Sequence, residues 1–121
     1  MVEMRVLIAY EKRHHLYGVA VEDFLKRRRP RISVINVPLE SLADQLESFV
    51  PHLVVCSESN TVDPGGVAAW IELSPDPAEP SKFCLGGEHW EASNPRLAAL
   101  LAVVDEAEEL VKTGRASLEG C

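Results

Sequence analysis

Apolar positions in this chain come first as a short run, then at helical spacing, then as a short run again, and the alternation repeats as far as Ser57. "MRVLIAY" (Met4 to Tyr10) is a continuous apolar run rich in strand formers, the pattern of a central strand buried on both faces. From His15 to Arg28, Tyr17, Val21, Phe24 and Leu25 recur at the spacing of one helix face. That segment closes in "KRRRP", where cations suit a helix C-terminus and Pro30 drives Arg29 out of the α region. "RISVINVP" (Arg31 to Pro38) predicts a second strand. Leu39, Leu42, Leu46 and Phe49 then mark an amphipathic helix with Glu40, Asp44 and Glu47 outward. "PHLVVCS" predicts a third strand ending at Ser57. A βαβαβ order implies a parallel sheet with crossover helices.

After Ser57 the rhythm changes. "SESNTVDPGGVA" is too broken by Pro64, Gly65 and Gly66 for more than a helical turn. Ala69 to Leu73 and Lys82 to Gly86 predict strands, and the three prolines of "SPDPAEPS" between them exclude a helix. A parallel crossover needs a dozen or more residues, so these two strands are expected to form an antiparallel hairpin. "GEHWEASN" is expected to be loop. Asn94 as N-cap and Pro95 at the first helical position open a last helix to Lys112, with Leu97, Leu100, Leu101, Val104, Leu110 and Val111 as its apolar set. The expected fold is α/β: a three-layer, flavodoxin-like sandwich with a βαβαβ first half, an antiparallel hairpin and a C-terminal helix around a mixed five-stranded sheet. Residues 1–113 form a single domain in this reading, and 114–121 a flexible tail.

Composition narrows the partners. The 121 residues carry a formal charge of −7, which repels nucleic acid and anionic membranes. "KRRRPR" is the one basic cluster that could serve a nucleic acid, but it lacks interleaved aromatics and is better read as helix C-terminal charge. No apolar run approaches the roughly 20 residues of a membrane span, and no export signal is expected from "MVEMRVLIAY". Of the three cysteines, Cys56 and Cys84 lie in strand-like runs and Cys121 at the end of the tail, so no disulfide is expected and a reduced, cytoplasmic protein is the default. Cys56 is expected to be a small buried hydrophobe rather than a nucleophile served by His52 or His14. Trp70 and Trp90 are expected to pack in or near the hairpin.

"RVLIAYE", a helix, a second strand, a helix and "PHLVVCS" resemble the first half of receiver domains of two-component response regulators, over roughly the first 60 residues. The last helix resembles the receivers' final helix. Receivers end their first strand in two acidic residues that hold Mg²⁺; Tyr10 and Glu11 stand there, so one acid is missing. The phosphoryl-accepting aspartate that closes strand three is matched by Ser57, and the Ser or Thr closing strand four by Ser74. The lysine closing strand five is replaced by Gly86 and Gly87, and the third and fourth helices have no counterpart. The resemblance implies a pseudo-receiver: a stand-alone regulatory or protein-interaction module without the phosphorylation chemistry, more a binding protein than an enzyme, with no cofactor. Phosphoryl transfer needs a divalent cation, and a serine without an adjacent base is a weak nucleophile.

Two candidate sites remain. Tyr10, Glu11, Ser57, Glu58 and Asn60 would line a polar crevice at the carboxyl ends of strands one and three, the usual ligand site of such a sheet. Against this, "SESN" is also ordinary turn chemistry. Glu11, His14 and His15 have the only metal-like spacing, against the plainer reading of a solvated loop leading into a helix. The alternative function is therefore a small-molecule- or metal-binding protein using that crevice. A homodimer is expected from the wide apolar stripe of the last helix, where Val103 and Leu110 lie off the main line, or from the hairpin edge, together with an unidentified protein partner.

Overall fold

The computed structural model describes residues 4–57, 67–114 and 121. Six strands and three helices follow one another as β1 (Arg5–Tyr10), α1 (His15–Arg28), β2 (Ser33–Pro38), α2 (Leu42–Ser48), β3 (Leu53–Cys56), β4 (Ala69–Glu72), β5 (Pro80–Leu85), β6 (Glu88–Ser93) and α3 (Leu97–Lys112). Single 3₁₀ turns, Lys12–His14 and Leu39–Ser41, lead into α1 and α2. The strands form one mixed sheet in the order β2-β1-β3-β4-β5-β6. β1 pairs in parallel with β2 and β3, and β3 in parallel with β4. β4–β5 and β5–β6 are antiparallel.

β1 and β3 are apolar because both faces of the central sheet are covered. Val6, Ile8 and Tyr10 point into a core completed by Val21 and Leu25 of α1 and by Leu100, Val103, Val104 and Ala107 of α3. Leu7 and Ala9 point the other way, with Val54, Cys56, Trp70 and Cys84, against Leu42 of α2. Period-two alternation thus assigns successive residues of one strand to two different cores. α1 lies close to the sheet through Gly18, where an added Cβ would meet Asn36 Nδ2 and Tyr10 Cδ2 at 3.2 Å. The basic end of α1 is held by ion pairs, Lys26–Glu22 at 2.6 Å and Arg27–Asp23 at 3.0 Å, each one helical turn apart. Arg29 binds Asp105 of α3 through two bonds of 2.8 and 2.7 Å, tying the two helices on that face. This pair raises the Arg29 pKa and lowers that of Asp105, chiefly through the hydrogen bonds.

The antiparallel pairing of β4 with β5 agrees with the short, proline-rich connection. Three expectations are corrected. "GEHWEASN" is not loop: Gly86 and Gly87, at φ 57° and 88°, make a two-residue turn, and Glu88–Ser93 returns along β5 as a sixth strand. Two left-handed central residues are what a tight hairpin with right-handed strand twist requires, and glycine adopts them without Cβ strain. Second, α3 starts at Leu97, with Arg96 at the N-cap and Asn94 left-handed at φ 44°. Its sheet-facing residues are Leu100, Val103, Val104 and Ala107, so Val103 is core rather than a spare apolar position. Third, Cys84 and Cys121 form a disulfide. Cys121 is buried and its N–H donates to Val67 O at 2.7 Å, so the last residue is anchored to the sheet. The remainder of the expected tail, residues 115–120, lies outside the described residues. No helix among the described residues is long and apolar enough to cross a membrane.

Candidate functional site

The carboxyl ends of β1, β3 and β4 and the amino end of β5 meet at one edge of the sheet. Together they border a cavity of about 360 Å³ lined by Glu11, Arg13, His14, Ser57, Glu72, Ser74, Pro75, Asp76, Glu79 and Pro80. One wall is the proline-rich turn between β4 and β5. Its prolines deny the backbone a helix, and its polar side chains close it on itself. The Asp76 N–H donates to Ser74 Oγ at 3.1 Å, the Ala78 N–H to Asp76 Oδ1 at 2.9 Å, and the Ser74 N–H to the buried Ser81 Oγ at 3.0 Å. The opposite wall is the turn after β1, where Arg13 Nε sits 3.0 Å from Glu11 Oε2.

Glu11 and Ser57, expected at a shared crevice, do line this cavity together. Glu58 and Asn60 lie outside the described residues. Tyr10 behaves differently. Its side chain is buried in the core beside α1, its ring 5.3 Å from that of Tyr17 in an edge-on arrangement. Its hydroxyl donates to Leu73 O at 2.7 Å. Burial, with smaller contributions from Tyr17 and Cys56, pushes the phenol far above its ordinary pKa. Tyr10 therefore spends its one donor bracing the ends of β1 and β4.

The proposed metal ligands part company. Glu11 and His14 face the crevice, whereas His15 lines a separate 210 Å³ hollow with Tyr10, Lys12, Asn36 and Glu40. No three His, Cys, Asp or Glu side chains converge for a metal ion among the described residues. Cys56 is buried at the carboxyl end of β3, while His52 accepts the Arg5 N–H at 2.9 Å before that strand begins. The two residues therefore stand at opposite ends of β3.

Arg13, Glu72, Asp76 and Glu79 also line the crevice. The signal for them was weak: Asp76 and Glu79 stand in "SPDPAEPS", whose prolines identify a loop but not the edge of the sheet to which it returns. Four carboxylates against one arginine and one histidine make the lining predominantly acidic. Ser57 Oγ and His14 Nδ1 are buried atoms without a hydrogen-bond partner, the situation in which a polar group gains most from an incoming ligand. No base lies within hydrogen-bond reach of Ser57 Oγ among the described residues. No protein-family model, curated protein or solved structure matches the chain.

Proposed function

We propose that the chain is a receiver-like regulatory module that acts by binding and does not take up phosphoryl groups. The observation that carries this reading is the Tyr10 hydroxyl on Leu73 O: where a receiver holds a cation-binding acid, this chain has a buried phenol used as a brace. Supporting it, the first five strands run in the order 2-1-3-4-5 known from doubly wound signalling folds, although β5 is reversed. That reversal sends the carboxyl end of β5 to the far side of the sheet, so a lysine placed there could not reach Ser57. Glu11, paired with Arg13, is then left as a poor Mg²⁺ ligand. Incubation with acetyl phosphate and Mg²⁺ should leave the intact mass unchanged. A phosphate adduct mapped to Ser57 sinks the proposal. The module is further proposed to work as a homodimer joined along the outer edge of β6.

A second reading is favoured by the unpartnered Ser57 Oγ and His14 Nδ1: the crevice binds a small polar ligand, and its acidic lining selects an organic cation over an acidic metabolite. Putrescine and arginine should raise the melting temperature, and citrate should not. Binding at 100 times the dissociation constant adds about 2.7 kcal/mol of stability. A flat response to both cations removes this reading without touching the first.

A further inference from the structure

We propose that the Cys84–Cys121 disulfide is a thiol-exchange site, opened and reclosed by low-molecular-weight thiols, with His89 stabilising the Cys84 thiolate that leaves. The two cysteines are 37 residues apart in sequence and covalently joined. Directly across the β5–β6 ladder from Cys84 stands His89, whose Nε2 lies 3.7 Å from Cys84 Sγ. With its proton on Nε2, this imidazole donates to the sulfur as negative charge develops there, and a stabilised thiolate is the better leaving group in exchange. His89 is itself exposed on the edge strand, while Cys84 and Cys121 keep only 6% and 8% of their surface in solvent, so the incoming thiol has a narrow approach. Cys56, by contrast, is buried and lies outside the disulfide, and serves as an internal reference.

The chemistry balances with two thiols. A thiolate attacks Cys121 Sγ, the Cys84–Cys121 bond breaks, and its electron pair passes to Cys84 Sγ beside His89. The new bond joins Cys121 to the incoming sulfur. A second thiolate attacks that outer sulfur, releasing the small-molecule disulfide and the Cys121 thiolate; protons from the two thiols complete the two cysteines. Opening the bond removes the covalent half of an anchor whose other half is the Cys121 N–H on Val67 O. Val67 lies at the end of the connection that starts at Ser57, in the crevice, and leads into β4.

The test uses the full chain isolated without reductant and equilibrated in graded ratios of reduced to oxidised glutathione. Acid quenching, unfolding and alkylation then report free thiols by intact mass. The expected result is one alkyl group, on Cys56, at the oxidising end and alkylation of all three cysteines at the reducing end, with reversible conversion between them. His89→Gln should slow the reductive step about threefold through poorer leaving-group stabilisation. It should leave the melting temperature of the already reduced protein unchanged, which a merely structural histidine would not. Three alkyl groups at every ratio, one at every ratio, or an unchanged rate in His89→Gln would each overturn the proposal.

Discussion

Tyr10 is the residue at which sequence pattern and structure diverge most usefully. A tyrosine at the carboxyl end of a central strand looks like a crevice group, yet its ring belongs to the core and only its hydroxyl reaches the strand ends. That hydroxyl is satisfied by Leu73 O, a carbonyl that β5 does not pair. Tyr10→Phe keeps the ring packing and leaves the Leu73 carbonyl short of a donor, so it should lower the unfolding free energy by about 1–2 kcal/mol. Urea denaturation measures this, and a stability equal to wild type would mean that water replaces the phenol. Because the hydroxyl braces β1 against β4 rather than facing the cavity, the same change should leave any crevice ligand's affinity unaltered. Ser57 is the contrasting case: its position was legible from the abrupt break after "LVVC", but its unpartnered state depends on neighbours brought from three other elements.

At the scale of elements, strands and helices with a continuous apolar face were legible and the edge was not. β1, β3 and α1 stand where their patterns place them because burial on one or both faces demands those residues. β6 carries Glu88, His89, Glu91 and Ser93, and every residue but Ala92 is exposed, so hydrophobicity gave no sign of it. The sign was the adjacent pair Gly86-Gly87 between two six-residue segments, a hairpin signal that polar composition obscured. Trp90 is anchored by a near-parallel stack on Phe83, with ring centroids 5.2 Å apart, and keeps 39% of its surface exposed. Among the described residues, its strand has no neighbour on its outer edge. Unpaired edges invite pairing, and Glu88 and Glu91 bias that pairing toward offset registers that keep like charges apart. With Val103 in the core, Leu110 packed against it and the expected hairpin edge of β5 covered by β6, this outer edge takes their place as the basis for the proposed homodimer. Light scattering should give twice the chain mass at tens of micromolar protein, and Trp90→Lys should return it to the monomer mass. A monomer mass for the unaltered chain defeats the dimer.

For the molecule as a whole, the least legible feature is also the longest-range one. Cysteine count and spacing argued against a disulfide, since an odd number in strand-like runs looks like buried thiols. Only the sheet topology reveals that Cys84 faces the core opposite α1 and α3, where Cys121 can return to it beside Trp70. A link spanning 37 residues removes loop-closure entropy from the unfolded chain, a stabilisation of about 4 kcal/mol in the chain-entropy account. Against the roughly 5–15 kcal/mol that holds a domain folded, that is a large share. Cys121→Ser should therefore lower the urea midpoint markedly under oxidising conditions. Full reduction of the unaltered protein should lower it by nearly the same amount, because both lose the same cross-link. With reductant present, variant and parent should then differ by well under 1 kcal/mol, the small cost of exchanging a thiol for a hydroxyl at a nearly buried site. A gap of several kcal/mol persisting in reductant would instead assign the stabilisation to how residue 121 packs on Val67 and Trp70, and the cross-link would lose its role in holding the molecule together.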